Sequence, residues 1–222
     1  MKNPLLSLTL TVCLFLAACS TPTPSTTTQV LNVYLTSATD PWLNNVYDCA
    51  PAGTVVNLSD PDSAQITLRV GEPSNLSTPS FQLSTEEILV VTNLQAGVYE
   101  LSVDQVRSLF LGQVTNWNEL GGNDVPVQVW TYSSDEDIQQ IFSREFMKGQ
   151  PVTSLARLAV SVEAMSNSVE TVAGSVGVVT RRWKSGNTTE ALSVATAPVL
   201  AITKSPPEGA VKDLVGCLQS GK

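Results

Sequence analysis

The stretch Glu87-Ile88-Leu89-Val90-Val91-Thr92-Asn93 restricts the fold more than any other part of the chain. Its unbroken apolar run is that of a strand buried on both faces, and such a strand needs layers packed on both sides of its sheet. Strand and helix patterns alternate around it from Val30 onward, without an internal repeat. In residues 31–35, Leu31, Val33 and Leu35 fall on one face at strand period, and Thr36-Ser37-Ala38-Thr39 follows as a hydroxyl-rich turn. Asp40 suits an N-cap and Pro41 a first helical position, with Leu43, Val46 and Tyr47 at helical spacing. Residues 54–58 and 65–70 read as strands, and residues 71–84 read as loop.

The second half of the chain repeats the alternation. Ser102 and Gln105 are spaced as a capping box before Val103, Val106 and Phe110, while Gly112 and the pair Gly121-Gly122 supply left-handed positions for a helix end and a turn. A strand is expected over residues 125–130. Ser133-Ser134-Asp135-Glu136 then reads as another capping box, opening a helix that carries Ile138, Ile141 and Phe142. Val162, Met165, Val169 and Val172 mark a further helix, residues 174–180 a glycine-punctuated strand, and residues 209–220 a last helix.

The 222 residues are enough for one domain of two lobes or two small domains, and 42% hydrophobic with 14% charged residues fits an ordinary globular protein. A net charge of −8 without any run of Lys and Arg argues against nucleic acid as a partner. Histidine is absent, which removes the commonest general base, the Ser-His-Asp arrangement and most catalytic zinc sites. No nucleophile–base pair or metal cluster can be assembled from what remains, so no catalytic residue, metal or cofactor is expected.

Residues 1–19 begin with Lys2, continue as an apolar stretch to Ala18 and end in Leu16-Ala17-Ala18-Cys19. This resembles a bacterial lipoprotein signal with its lipobox, in which Cys19 becomes the lipidated first residue. A transmembrane anchor is the alternative, but the run is too short and too close to the start. The expected location is extracytoplasmic, lipid-anchored to a bacterial membrane on its periplasmic side or at the cell surface. Residues 20–29, small and polar with two prolines, form a flexible tether. Cys13 leaves with the signal and Cys19 takes the lipid, so Cys49 and Cys217 remain as an even pair. A disulfide is expected between them, two buried free thiols being the alternative.

Phe110-Leu111-Gly112-Gln113-Val114-Thr115-Asn116-Trp117-Asn118-Glu119-Leu120-Gly121-Gly122 resembles a segment of the phosphate-binding-protein-like members of the periplasmic solute-binding superfamily. Residues 85–222 are similar to that family throughout, and residues 30–84 more loosely. The resemblance implies an α/β, type II periplasmic-binding-protein-like fold: two lobes joined by crossing hinge strands, with a shortened first lobe. Residues 30–98 and 184–222 would form lobe 1 and residues 99–183 lobe 2, hinged near residues 90–98 and 176–184. It implies that Trp117 is a core anchor, that Asn116 and Asn118 bond the turn, and that the segment identifies the scaffold rather than the ligand.

The same resemblance implies a small solute or anion held in the inter-lobe cleft by a monomer, with an ABC permease as partner. Thr36, Ser37 and Thr39 occupy the place of the family's phosphate loop, and Ser133, Ser134 and Asp135 the place of its second anion site. There the chain departs from the pattern. The family's arginine and Ser-Gly-Thr are replaced by Asp135, Glu136 and Asp137, which would repel a dianion, and the Gly-Ser-Gly helix start of lobe 1 has no counterpart between Gly53 and Ser84. Asp40 could accept a proton from phosphate, and Arg69, Arg181 and Arg182 remain as anion partners, Arg181 foremost. Phosphate is therefore expected to bind weakly or not at all. The other reading is an envelope protein that uses the scaffold for protein–protein contact without transport.

Overall fold

A computed structural model describes residues 28–221; the expected signal, Cys19 and most of the tether lie outside them. The described residues form a single mixed sheet of eight strands in the order β2-β1-β3-β8-β4-β7-β5-β6. These are β1 (Gln29–Leu35), β2 (Thr54–Leu58), β3 (Ile66–Val70), β4 (Ser80–Asn93), β5 (Gln128–Thr131), β6 (Arg157–Leu158), β7 (Ser175–Thr180) and β8 (Thr188–Thr203). Five α-helices pack around the sheet: α1 (Leu43–Asp48), α2 (Val103–Phe110), α3 (Asp137–Ile141), α4 (Val162–Thr171) and α5 (Gly209–Gln219).

The sheet has two ends and a common centre. At one end β1 runs parallel to β2 and β3; at the other β5 runs parallel to β6 and β7. Between them β4 and β8 pair antiparallel from Ser80 opposite Ile202 to Asn93 opposite Thr188, so each strand passes from one end group to the other. The C-terminal part of β8 pairs with β3, and the C-terminal part of β4 with β7. Ile88, Leu89, Val90 and Val91 are at most 1% exposed, as the apolar run requires. Each such side chain contributes about 1.5–3 kcal/mol of burial.

Two expectations about these strands need correction. The loop expected over residues 71–84 ends at Pro79, because Ser80–Ser84 already belong to β4, where Phe81 and Leu83 alternate at strand period with Ser80, Gln82 and Ser84 and pack against the core. The second strand crossing the sheet is β8, not the segment near residues 176–184: β7 touches only β4 and β5 and stays at one end. Residues 71–79 connect β3 to β4 without a helix.

Several local signals in the second half are followed, although the strand expected over residues 125–130 forms over Gln128–Thr131. Ser102 accepts from the Gln105 N–H while the Gln105 side chain accepts from the Ser102 N–H, which completes the capping box of α2. Gly112 and Gly121 take left-handed φ angles of 74° and 82°, ending α2 and the 3-10 turn after Trp117. Trp117 is fully buried, and its Nε1–H donates to the Gly174 carbonyl at 2.8 Å. Asn116 caps its own turn through the Asn118 N–H, with Glu119 bonding back to the Asn116 N–H. Gly177 lets α4 lie on β7, since a Cβ there would come within 2.4 Å of Met165 Sδ.

The start after β1 differs from expectation. Ser37–Trp42 is a 3-10 helix with Thr36 at its N-cap and Pro41 inside, and α1 begins only at Leu43. At the other end of the chain, α5 returns to α1, and Cys49 is disulfide-bonded to Cys217 with Cα atoms 5.6 Å apart. The sequence separation of 168 gives a chain-entropy contribution on the order of 5 kcal/mol. Replacing both cysteines with alanine should cost about 2–5 kcal/mol, and the loss should match that caused by reductant on the parent protein. Thermal melts with and without dithiothreitol check this; a reductant-insensitive parent would contradict it.

Candidate functional site

The end of β1 and the start of α3 meet where the two ends of the sheet face each other. Thr36 closes β1, and its backbone N–H donates to the Leu68 carbonyl at 3.0 Å. Thr39 lies behind it, fully buried, its hydroxyl donating to the carbonyls of Thr36 and Leu68. Thr39 is thus a structural brace of the turn, whereas Thr36 is free to point its hydroxyl across. That hydroxyl donates to Asp137 Oδ2 at 2.6 Å. The Val70 N–H donates to the same oxygen at 2.9 Å, and Arg69 Nη2 lies 2.7 Å from Asp137 Oδ1.

Asp137 is the residue that sequence reasoning missed. It was expected only to add negative charge to an acidic turn with no arginine nearby; instead its carboxylate is 2% exposed and held by three donors from the opposite end of the sheet. The helix does not start at a Ser133 capping box. Glu136 is the N-cap without a side-chain cap, so Asp137 is the first helical residue and turns inward with buried Ile138 and Ile141. Its place four positions before the apolar Ile141, on the same helix face, was the available signal. Arg69 is correspondingly not a surface cation: its Nε donates to the Gly71 carbonyl and its Nη2 also reaches Gln140 Oε1.

The other candidates separate into two groups. Ser37 accepts the Val162 N–H at 2.8 Å, so its hydroxyl satisfies the first turn of α4 across the same junction. Ser161 caps the next donor of that helix, from Ala164. Ser133, Ser134 and Asp135 are exposed on the turn before α3. Asp135 is held below its ordinary range by the Ser133 hydroxyl. Arg181 is not brought to this junction: its guanidinium is engaged by Glu87 of β4 and Glu190 of β8. Arg182 pairs with buried Glu86 and lies over the Trp42 ring.

Electrostatically the junction is acidic. Burial pushes Asp137 above its ordinary range despite Arg69, Thr36 and the Val70 N–H. Burial, then Asp137, Asp135 and Asp40, raise half-buried Glu136 to about 7, and one of its carboxyl oxygens is buried without a hydrogen-bond partner. Asp40 is raised by burial and by Glu163. Beside the contact, a concavity of about 370 Å³ is lined by Gly71, Glu72, Ile141 and Arg144 together with residues 194–198 of β8. Among the described residues no group of three or more His, Cys, Asp or Glu side chains is placed to hold a metal ion. The arrangement can seat one carboxylate-like oxyanion from one side, and that seat is filled by a side chain of the protein.

Residues 81–215 match the family model described as the PBP superfamily domain. The chain belongs to this superfamily. Its mixed α/β sheet with two crossing strands is the type II periplasmic-binding-protein-like fold. A curated relative, the phosphate-binding protein PstS of Bacillus subtilis, is 24% identical over 118 residues, 51% of this chain and 37% of that protein. The chain therefore matches little more than a third of that relative's length. A Clostridium perfringens protein assigned as a phosphate ABC transporter substrate-binding protein and solved with bound phosphate superimposes with a TM-score of 0.78, at 13% identity over 86% of this chain and 93% of that one. An ABC-type phosphate transport receptor from Vibrio cholerae gives 0.62, at 16% identity over 87% and 94%. The regulatory domain of Synechocystis PCC6803 CcmR in complex with 2-PG gives 0.60, at 9% identity over 87% and 97%. At these identities the solved structures show the fold alone.

The raised carboxyls of the PBP-domain junction fix the direction of pH dependence. A group protonated more readily in the fold adds stability that is complete below its ordinary range and lost as pH rises through its folded value. For Glu136 that window runs from about 4.5 to about 7, and Asp137 and Asp40 act in the same direction. Acidification from pH 8 to 5 should raise the melting temperature, by about 1–2 kcal/mol of stability after screening of this half-exposed group. Glu136→Gln should flatten the profile. A melting temperature that falls across this window would contradict the assignment.

Proposed function

We propose that this PBP-domain protein is an extracytoplasmic solute-binding lipoprotein, similar in type to the phosphate-binding component of an ABC transporter, which takes inorganic phosphate weakly or not at all. The observation that carries the reading is the Asp137 carboxylate in contact with Thr36, Arg69 and the Val70 N–H. A dianion brought to those donors meets Asp137, Glu136 and Asp135 at short range, and partial desolvation strengthens that repulsion. Residues 30–98 and 184–222 act as one lobe and residues 99–183 as the other, bending about β4 and β8 to open the cleft. A small solute is taken into the recess beside the Arg69–Asp137 contact and handed to a membrane permease, by a monomer that performs no chemistry on it.

A second reading is favoured by the direct link from β3 to β4 over residues 71–79 and by apolar side chains at the β6 edge. Leu155 and Val160 are 81% and 87% exposed there. In that reading the scaffold serves contact with another envelope protein. Thermal melting against a panel of small solutes separates the two, because a ligand of the folded state raises stability by about 2.7 kcal/mol at a hundredfold excess over Kd. A flat panel favours the interaction protein.

Calorimetric titration of the purified protein with inorganic phosphate at low ionic strength should give no micromolar isotherm, since screening is then weakest and a real anion site would be most visible. A one-to-one micromolar isotherm would refute the phosphate part of the proposal. No helix of the described residues is long and apolar enough to cross a membrane, and the proposed anchor is the lipid on Cys19. Cys19→Ser should release the protein from the membrane fraction or leave it uncleaved. Normal processing with undiminished membrane retention would exclude lipidation at that residue.

A further inference from the structure

The geometry points to a tethered ligand: Thr36, Arg69 and the Val70 N–H form an oxyanion seat on the β1–β3 end of the sheet, and the Asp137 side chain is its built-in occupant. The seat would accept a small external carboxylate or oxyanion only when Asp137 is withdrawn. This deepens the solute-binding reading of the cleft and rests on it, but it concerns the donors rather than the identity of any natural solute.

Three observations support the assignment. The donors come from two adjoining strand ends and converge from one side: a hydroxyl and an N–H on Oδ2, at 2.6 and 2.9 Å, and a guanidinium on Oδ1 at 2.7 Å. That is the donor set by which a protein recognises a bound carboxylate, with both oxygens satisfied and one by a charge. The occupant arrives from the other end of the sheet, across a sequence separation of 101 from Thr36, so it bridges the two end groups as a bound solute would. Arg69 Nε is held by the Gly71 carbonyl and the Val70 N–H by β3, both apart from α3, so these donors stay in place when the carboxylate is removed; Gln140, which Nη2 also reaches, belongs to α3 itself. The consequence is a cleft held closed without ligand, in which ligand binding and withdrawal of Asp137 are the same event.

Chemical rescue tests this. Asp137→Ser empties the seat while leaving a small polar residue at the first helical position. The variant should melt below the parent, and sodium formate or acetate at tens of millimolar should raise its melting temperature saturably, by about 2–5 °C beyond any effect of sodium chloride at matched ionic strength. The parent protein and Asp135→Ser should not respond. Adding Arg69→Met to Asp137→Ser should abolish the rescue, which separates a specific seat from general salt stabilisation. If Asp137→Ser does not accumulate as folded protein, the titration is made on Asp137→Asn, whose uncharged amide is a weaker occupant and should still give a smaller, saturable rise. A flat response of the folded variant, or an equal response of the parent, overturns the inference. Phosphate binding by the parent would refute the proposed specificity and leave the rescue result to be judged separately.

Discussion

From Ser80 opposite Ile202 to Asn93 opposite Thr188, β4 and β8 remain hydrogen-bonded across both end groups of the sheet. Their middle, Ile88 to Val91, is sealed on both faces, so every element on either side is positioned by reference to this pair. Register shifts near residues 82–84 and 88–91 of β4 interrupt its regular pairing with β8. The β1–β3 end and the β5–β7 end lie on either side of this pair. They present the tips of β1 and β3 toward the start of α3, and the cleft chemistry is decided by what those tips carry.

What they carry is not simply stabilising. Burial of Asp137 costs enough that its carboxyl is raised even with an arginine at 2.7 Å, and a buried ion pair often contributes little more than a well-packed apolar pair would. Its effect is specific: only one arrangement of the two end groups satisfies the carboxylate, the Thr36 hydroxyl and the Val70 N–H together. Ser37 adds a second link of the same kind, closing the first turn of α4 with a hydroxyl from the opposite end group. The disulfide from Cys49 to Cys217 acts elsewhere, tying the terminal helix to the helix that follows β1, and leaves the junction contacts to hydrogen bonds and one ion pair.

Much of this was legible from residue patterns. The apolar run at residues 88–91, the Ser102–Gln105 box and the left-handed glycines after α2 are local consequences of local sequence, whereas the burial of Trp117 was implied by the family resemblance. The N-terminal part of β4 was passed over: its alternation is short, only Phe81 and Leu83 between polar residues, and pairing with β8 completes the strand. Within the site, Thr36 and Ser37 were singled out by the resemblance to the family's phosphate loop, and both bond across the junction of the two end groups. Their partners were not singled out, since Thr36 meets Asp137 and Ser37 meets Val162 over separations of 101 and 125 residues. Arg69 was kept as an anion partner, and the arrival of α3 makes it a half-buried ion-pair donor to a carboxylate of the chain itself. Arg181 failed as a site residue for the same reason in reverse: the glutamates that capture it lie on β4 and β8, remote in sequence.

A ligand and a side chain that use the same donors compete on unequal terms. The Asp137 carboxylate is positioned by a helix whose Ile138 and Ile141 are buried and which continues into buried Phe142 and Phe146, so little freedom is lost when it enters the seat. A free anion must give up its translational freedom, and a tethered group acts with an effective concentration of order millimolar or more. An external carboxylate that matched Asp137 contact for contact would therefore have to exceed that concentration. A phosphate dianion would meet the added repulsion of Glu136 and Asp135. On the proposed reading, one inward-turning side chain would separate this PBP-domain protein from anion capture while every strand of the scaffold stays in place. The step required in sequence is correspondingly small: a carboxylate at the first position of a helix that already faces three donors.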